Sequence, residues 1–262
     1  LIVVVLANVI CYGPMYNNIA PILNGKASVS EESKAAYRDI IREVGEEGLT
    51  LVKNDGALPL EKDSNLNVFG WASTNPIYGG TGSGSSDSSN AVDILTSLKD
   101  AGFKLNDDLT NMYTEYSPTR NLGGNVFSVS YTDWSLPEPT VDHYTDELMD
   151  QAKEFSAKAM IVISRSGGEG QDVPTDMKAV IDGTYDPRDE VANGNSNYNY
   201  FACNYTNNGD YDDFDEGESY LELSNTEEAM IQKVCDEFDD VVVVNNDTEV
   251  LCGDKVADAK VT

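Results

Sequence analysis

Ala159-Met160-Ile161-Val162-Ile163 is an apolar run, and it leads directly into the glycine-rich stretch Ser164-Arg165-Ser166-Gly167-Gly168-Glu169-Gly170-Gln171-Asp172. The pattern predicts a buried strand followed by a tight turn that carries few side chains. Ligands of open α/β sheets bind outside the carboxyl ends of the strands, where glycines let a substrate approach the backbone. Glu169 is therefore the candidate functional carboxylate, although a glycine-rich turn with a glutamate is also common in ordinary loops.

Strand-like and helix-like segments alternate along the rest of the sequence, as expected for an α/β layer structure. Residues 65–71 and 160–164 are predicted strands, and the β-branched run 241–244 is typical of a strand buried on both faces. Helices are predicted after a capping box of Ser28 and Glu31, between an Asn90 cap and Gly102, over residues 144–156, and from a second capping box of Ser224 and Glu227 to about Phe238. We expect a three-layer α/β sandwich, in which helices flank a mostly parallel sheet.

Two long segments do not fit this alternation. The segment from about residue 103 to 143 has three prolines and little hydrophobic periodicity, and the segment from about 173 to 219 is dense in Asn, Asp, Gly and Tyr. Both are therefore predicted to be irregular insertions. The sandwich is expected to span residues 28–246. Residues 1–27 form a separate segment before it, and residues 247–262 form a charged, divergent tail.

Five further motifs follow one another along the chain. They are Glu47-Gly48-Leu49-Thr50-Leu51-Val52-Lys53-Asn54, Ala57-Leu58-Pro59-Leu60, Val68-Phe69-Gly70-Trp71-Ala72-Ser73, Tyr78-Gly79-Gly80-Thr81-Gly82-Ser83-Gly84-Ser85 and Tyr220-Leu221-Glu222-Leu223-Ser224. Together with the Glu169 loop, they resemble the α/β-sandwich domain of glycoside hydrolase family 3, whose members include β-glucosidases. The resemblance is closest to the permuted branch, in which a membrane anchor comes first and the sandwich precedes a (β/α)8 barrel.

The resemblance implies an active site shared between two domains. It places the general acid/base on Glu169, with Asp172 and Glu190 as nearby carboxylates that could hold the role instead, and it assigns the nucleophile to an aspartate of the barrel. Substrate binding is predicted for five residues near this position: Arg165, Gly168, Gly170, Asp172 and Tyr78. Neither a cofactor nor a metal is expected.

Without the barrel, these residues supply only one of the two catalytic carboxyl groups. A retaining glycosidase needs two carboxyl groups about 5–5.5 Å apart, and a barrel alone takes about 250 residues, which the 262 residues of this sequence do not hold beside the sandwich. We therefore consider two hypotheses. The chain is either the sandwich domain of an exported β-glycosidase, or a non-catalytic, surface-displayed module that uses the fold for assembly or glycan contact.

The sheet is also predicted to lack its last strands, because the sequence after residue 246 departs from the family pattern. An open sheet edge is normally covered or paired. We expect the missing strands to come from a continuation of the chain or from another subunit, which includes a second copy of this chain.

Composition limits the partners. The formal net charge of -29 arises from 46 acidic against 17 basic residues. Such a charge repels phosphate backbones, so nucleic acid is not an expected partner, whereas a neutral glycan is not repelled. It also favours solubility in a secreted protein.

Residues 1–10 are almost wholly apolar, but they make up only half of the ~20 residues that a membrane span requires. A buried strand or the end of a signal-peptide core has the same pattern. Because the permuted branch is anchored, we expect the distal end of a transmembrane anchor, then a stalk up to residue 27, and hence an extracellular, cell-surface location.

Other candidate sites are weaker. Four cysteines without Cys-x-x-Cys spacing and a single histidine, His143, argue against a zinc site. Cys235 is predicted to be a buried thiol, and pairing of Cys203 with Cys252 is left open. The glycines of residues 78–85 lack the lysine of a nucleotide-binding loop, and the acidic run 210–218 does not fit EF-hand spacing, so a solvated loop is favoured there over calcium binding.

Overall fold

The computed structural model describes residues 2–13, 16, 29–80, 86–117, 131–167, 173–185, 202–205 and 212–247. The chain forms two compact units, Leu1–Val52 and Lys53–Thr262. The first unit contains helices α1 (Ile2–Tyr12) and α2 (Glu31–Gly48). The second contains the sheet and its helices.

The N-terminal apolar run forms helix α1, which is 11 residues long. Its described side chains are exposed. A helical membrane span needs about 20 residues, and within the described ranges no helix has the length and apolar character to cross a bilayer. The prediction of a transmembrane anchor, and of the cell-surface location that rested on it, is therefore contradicted.

Helix α2 begins two residues later than predicted, because Ser30 and not Ser28 caps it. The Ser30 hydroxyl accepts a hydrogen bond from the Ser33 amide at 3.1 Å, which satisfies one of the free amides of the first turn. The helix carries the apolar residues Ala36, Ile40, Ile41 and Val44, but no residue of the helix is buried.

The second unit contains six described strands and five described α-helices. The strands are β1 (Asn65–Phe69), β2 (Lys104–Leu105), β3 (Tyr131–Asp133), β4 (Lys158–Arg165), β5 (Ala202–Asn204) and β6 (Asp240–Asp247). The helices are α3 (Ile94–Asp100), α4 (Asp107–Tyr116), α5 (Asp146–Phe155), α6 (Met177–Ile181) and α7 (Asn225–Glu237).

Four strands form a parallel sheet in the order β2-β1-β4-β6. The side chains of β4 alternate between its two faces, as the pleat of a strand requires. Ile161 and Ile163 join a core cluster that contains residues of α4, α5 and α7, whereas Met160 and Val162 join a cluster against which α3 and residues 57–60 pack. Helices thus cover both faces, and the predicted three-layer α/β sandwich is confirmed.

Strand β6 lies at one edge of the described sheet, and the two-residue β2 lies at the other. The predicted run 241–244 belongs to β6, but only its first half is fully buried. Val241 and Val242 are buried, and Val243 and Val244 are partly buried. The edge position explains this difference, because β6 has a described partner on one side.

Two of the predicted helix starts differ in outcome. The capping box of Ser224 and Glu227 is confirmed, with the Ser224 hydroxyl accepting from the Glu227 amide at 3.2 Å and the Glu227 carboxylate accepting from the Ser224 amide at 3.0 Å. The Asn90 cap is wrong. Residues 88–90 form a 3-10 turn, and the Asp93 carboxylate caps α3 by accepting from the Thr96 amide at 2.7 Å.

Helix α4 was missed, because it lies inside a segment predicted to be irregular. Asn106 caps it by accepting from the Asp108 amide at 3.1 Å. Leu109 and Tyr113, one helical turn apart, are fully buried against the sheet. The Asn cap and this spacing were the available signals, but the prolines that follow obscured them.

The two predicted insertions pack against each other. Strand β3 of the first pairs in parallel with β5 of the second. A separate core cluster draws on both segments and on the residue after them: Trp134, Leu136, Met177, Val180, Phe214 and Tyr220. Where the structure describes them, the two insertions therefore contain a packed part with a core of its own.

The predictions for single residues have mixed outcomes. Cys235 is a buried thiol on the core face of α7, as predicted. His143 is exposed and stands edge-on to Tyr116, with ring centroids 4.9 Å apart. Cys252 and the side chain of Cys203 lie outside the described residues.

Candidate active site

The carboxyl ends of β1, β4 and β6 meet at one edge of the sheet, because the three strands are parallel neighbours. Strand β4 ends at Arg165, which lies opposite Asp247, the last residue of β6. The chain continues through Ser166 and Gly167 into residues 168–172. Four of the predicted site residues lie outside the described part of the chain: Gly168, Glu169, Gly170 and Asp172.

Arg165 is fully buried, and its guanidinium uses all five of its N–H donors inside the protein. Two bind Glu227 in a bidentate pair, with Nη1–Oε1 2.8 Å and Nη2–Oε2 2.6 Å. The other three donate to the main-chain oxygens of Ser164, Tyr220 and Glu222. Because a guanidinium has only five donors, contact with a sugar hydroxyl would require the exchange of one of these bonds. In this arrangement the side chain holds the end of β4 in place, and its contact with substrate stays a prediction.

Tyr220 binds the chain on both sides of residues 168–172. Its hydroxyl lies 3.1 Å from both the amide nitrogen and Oγ of Ser166, and its own amide donates to the Pro174 oxygen at 3.0 Å. Its ring is fully buried and stands edge-on to Trp134, with centroids 4.7 Å apart. Both ends of the predicted loop are therefore fixed to one buried residue.

A carboxyl group that the sequence analysis did not select, Glu138, braces the exit from β1. Its Oε2 accepts from the Trp71 amide at 2.7 Å, and its Oε1 accepts from the Tyr144 hydroxyl. The Tyr144 hydroxyl lies 2.7 Å from that of Tyr113, which accepts from the Gly70 amide at 2.7 Å. Burial raises the pKa of Glu138 to about 8, so this group is mostly protonated at neutral pH.

Little in the sequence pointed to Glu138. It stands between Pro137 and Pro139, in a segment without helical or strand periodicity. Neighbouring Trp134 and Leu136 are buried apolar residues, and they were the only local sign that a carboxyl group here would leave solvent.

A small cavity lies between Glu138 and Glu227, behind the strand ends. Its volume is about 10 Å³, close to the ~10–15 Å³ that one water needs. Other side chains that line it include those of Trp71, Leu136, Ser164 and Met230. It is far too small for a sugar ring and belongs to the packed interior.

Tyr78 is described, and its side chain is 40% exposed. The preceding residue, Ile77, is held to β6 by Asn246, whose Oδ1 accepts from the Ile77 amide at 2.7 Å and whose Nδ2 donates to the Ile77 oxygen at 3.2 Å. Partial burial, followed by the charge of Asp93, raises the pKa of Tyr78, so its hydroxyl remains a donor. The structure thus brings the segment of Tyr78 to the same sheet edge as Arg165.

Asp247 also lies at this edge, although it was assigned to the divergent tail. Its Oδ1 accepts from the Arg165 amide, and burial raises its pKa to about 6. The signal that could have identified it is the polar sequence that ends an apolar strand, Asn245-Asn246-Asp247. The same kind of signal identified the Glu169 loop.

The sequence had suggested that the acidic run 210–218 is a solvated loop, but one of its carboxylates is buried. Asp213 is fully buried and accepts from the amide and hydroxyl of Thr226 at 3.1 and 2.6 Å. Burial raises the pKa of Asp213. Across the residues that the structure describes, no group of three or more His, Cys, Asp or Glu side chains is placed to hold a metal ion.

This geometry defines a class of domain: a parallel α/β sandwich with Arg165, Asp247 and the segment of Tyr78 at the carboxyl edge of its sheet. Residues 49–262 match the Glycosyl hydrolase family 3 C-terminal domain. The chain therefore belongs to glycoside hydrolase family 3, as the sequence motifs had indicated.

Two curated relatives are β-glucosidases. A Beta-glucosidase of Ruminococcus albus is 33% identical over 143 residues, which are 52% of this chain and 14% of that protein. Beta-glucosidase A of Butyrivibrio fibrisolvens is 26% identical over 208 residues, which are 76% of this chain and 21% of that protein. The chain thus spans about a fifth or less of the length of these relatives.

Solved structures show the same fold. Beta-glucosidase 3B from Thermotoga neapolitana, in complex with glucose, matches with a TM-score of 0.52 and 24% identity, over 82% of this chain and 24% of that one. A beta-glucosidase from Paenibacillus barengoltzii matches with a TM-score of 0.54 and 23% identity, over 80% of this chain and 18% of that one.

Proposed function

We propose that this chain is the sandwich domain of a retaining β-glycosidase that hydrolyses terminal β-glucosides, and that Glu169 is its general acid/base. The nucleophile in this proposal is an aspartate of a family 3 barrel. The observation that supports it best is the fixing of both sides of residues 168–172 to buried Tyr220 at the carboxyl edge of the sheet. Ligands of open α/β sheets bind at that edge.

The proposed reaction has two steps. In the first, the barrel aspartate attacks the anomeric carbon while protonated Glu169 donates its proton to the departing glycosidic oxygen. In the second, ionised Glu169 removes a proton from water, which attacks the same carbon and releases the aspartate. One residue of this chain thus acts as acid and then as base.

Other residues of the chain have supporting roles in this proposal. Tyr78 donates a hydrogen bond to the sugar from its exposed hydroxyl, and Gly168 and Gly170 let the substrate approach the backbone. Asp172 accepts from sugar hydroxyls. Arg165 holds the end of β4 to α7 through Glu227.

The proposal also includes what completes the domain. Strand β6 has a neighbour on one side only in the described sheet, and an open edge is normally paired or covered. In this proposal, a family 3 barrel domain or another subunit completes the site and the sheet.

The experiment measures how Glu169→Ala affects substrates with different leaving groups, in the full-length enzyme that the proposal implies. kcat/KM should fall steeply for a glucoside of a poorly acidic alcohol, on the order of 10²–10⁴-fold. For 2,4-dinitrophenyl β-glucoside it should change much less, because that leaving group departs without protonation.

Asp172→Ala and Glu190→Ala are the matched controls, since each removes a nearby carboxylate. Equal losses on both substrates in Glu169→Ala, with a leaving-group effect in one of the controls instead, would move the acid/base to that residue. Absence of any glycosidase activity in the full-length protein would favour the non-catalytic module.

A further inference from the structure

The chain from Gly70 to Tyr78, here called the edge segment, crosses the carboxyl edge of the sheet. It leaves β1 at Gly70, and Asn246 near the end of β6 binds the main chain of Ile77. Strand β4 lies between β1 and β6, so the edge segment spans the carboxyl end of β4. Gly70 accordingly lies so close to Val162 of β4 that a Cβ would overlap its carbonyl oxygen.

The first half of the edge segment is fixed by buried partners. The Gly70 amide donates to the Tyr113 hydroxyl and the Trp71 amide donates to Glu138, both at 2.7 Å. The Trp71 indole nitrogen donates to the Ser117 oxygen at 2.9 Å. All three partners are buried, so this half belongs to the packed part of the domain.

The second half of the edge segment is held to the sheet by Asn246. Its Oδ1 accepts from the Ile77 amide at 2.7 Å, and its Nδ2 donates to the Ile77 oxygen at 3.2 Å. Because both main-chain groups of one residue are bound, the position and the orientation of the chain are both fixed. The next residue, Tyr78, accepts a bond from Ser86 Oγ on its own oxygen at 2.6 Å, and its side chain is exposed.

We propose that Asn246 is a positioning residue, which fixes the main chain of Ile77 and thereby holds the Tyr78 hydroxyl in place to bind a hydroxyl of the sugar. This inference rests on the proposed function, because that function assigns the sugar contact to Tyr78. Asn246 acts through Tyr78 and does not touch the sugar itself.

The expected effect is on binding. A side chain that is held before the ligand arrives loses less conformational freedom when it binds. A hydrogen bond between neutral groups changes an affinity by about three- to tenfold. Tyr78 moves no proton in the proposed reaction, so the position of its hydroxyl should affect KM and the dissociation constant of glucose and leave kcat nearly unchanged.

The test is a double-mutant cycle in the full-length enzyme, with Asn246→Ala, Tyr78→Phe and the combined variant. The measurements are KM and kcat for an aryl β-glucoside, and the dissociation constant of glucose by calorimetry. Each single substitution should raise KM and the dissociation constant about three- to tenfold and change kcat by less than about twofold. In the Tyr78→Phe background, Asn246→Ala should add less than about twofold, because the hydroxyl that it positions is absent.

Asn65→Ala is the matched control. The Asn65 side chain also binds main chain, donating to the Phe155 oxygen at 2.9 Å, but it stands at the amino end of β1. The control should leave KM and the dissociation constant unchanged. Three results would overturn the proposal: no effect of Tyr78→Phe, effects of Asn246→Ala and Tyr78→Phe that multiply in the combined variant, or a loss of kcat alone in Asn246→Ala. The last is the result of destabilisation, which reduces only the amount of active enzyme.

Asn246→Asp covers the case in which Asn246→Ala does not fold. The aspartate is nearly the same size and still accepts from the Ile77 amide, but it does not donate to the Ile77 oxygen. It should raise KM and the dissociation constant by a smaller factor than the loss of both bonds, and only where the Tyr78 hydroxyl is present. An equal increase in the Tyr78→Phe background would again overturn the proposal.

Failure of the proposed function is seen separately, as a full-length protein without glycosidase activity or as a flat response in Glu169→Ala. Glucose binding needs no turnover, so the cycle measured by calorimetry still decides the role of Asn246 in that case. A protein that neither cleaves β-glucosides nor binds glucose would refute both proposals.

Discussion

Arg165 and Glu227 form a buried bidentate ion pair that joins the end of the central strand β4 to the first turn of α7. The same Glu227 carboxylate accepts from the Ser224 amide at 3.0 Å and so completes the capping box. The motif that starts a helix and the residue that ends a strand are therefore one connected structure. Its loss should affect both elements at once.

Glu227→Gln should lower the free energy of unfolding by about 3–5 kcal/mol, because it removes the carboxylate charge that pairs directly with the buried Arg165 guanidinium. Urea denaturation of the purified domain measures this. Asp236→Asn is the control, since it removes an exposed carboxylate from the same helix, and it should change stability by less than about 0.5 kcal/mol. Similar losses in the two variants would contradict the role given to the pair.

Glu138 should make the domain less stable as the pH rises. Its folded-state pKa is about 8, against an ordinary value of 4.5, with burial as the largest cause. Between these values the folded state holds a proton that the unfolded state has lost, so the stability from this group is complete below pH 4.5 and is lost as the pH rises towards 8. Inside that window the contribution of Glu138 to the free energy of unfolding should fall with a slope that approaches about 1.4 kcal/mol per pH unit.

Glu138→Gln tests this, because the amide is neutral at all pH values and can still accept from Trp71 and donate to Tyr144. The free energy of unfolding, measured in urea from pH 5 to pH 8, should fall less with pH in the variant than in the wild type. Glu154→Gln, which changes an exposed carboxylate of α5, should keep the wild-type slope. An unchanged slope in Glu138→Gln would show that Glu138 is ionised in the folded protein.

Gly70→Ala should be among the most destabilising single substitutions in the domain. Gly70 has φ +91°, and a Cβ there would overlap the carbonyl oxygen of Val162 in the neighbouring strand β4. Gly183→Ala is the control, because Gly183 has φ +70° but open space around its Cβ position. The control should cost about 1–2 kcal/mol and Gly70→Ala about 4 kcal/mol or more. Equal costs would show that the strand neighbours can separate to admit the methyl group.

The sheet was predictable because its strands are apolar runs with sharp ends. β1, β4 and β6 each contain such a run, and the capping box of Ser224 and Glu227 correctly predicted the start of α7. Prediction was less accurate where several polar residues competed for one cap. Ser30 and Asp93, and not Ser28 and Asn90, are the N-caps of α2 and α3, because each lies directly before the first turn of its helix.

The site was predictable in part, because glycine-rich loops after strands are visible in sequence. The tertiary contacts around it were not. Glu138 comes from a segment without periodicity, and Tyr220 was noted only as part of a family motif. The contacts of both residues join distant parts of the chain, as does the pairing of β3 with β5. Local patterns do not encode such pairings.

The 262-residue chain alone should not turn over an aryl β-glucoside. The acid/base without a nucleophile contributes about 10²–10⁴-fold to a reaction whose covalent step it cannot perform. Burst and steady-state release of nitrophenol by the purified chain are the measurement. Release that Glu169→Gln abolishes would show that both carboxyl groups lie within this chain.

The central claim, that Glu169 is the acid/base of a retaining glycosidase, is tested most directly by the product that Glu169→Ala forms in azide. With 2,4-dinitrophenyl β-glucoside, the full-length variant should accumulate its glycosyl intermediate. Azide, which needs no base, should then restore turnover and yield β-glucosyl azide. Asp172→Ala should release glucose and no azide adduct. Glucose as the sole product of Glu169→Ala, at a rate that azide leaves unchanged, would contradict the claim.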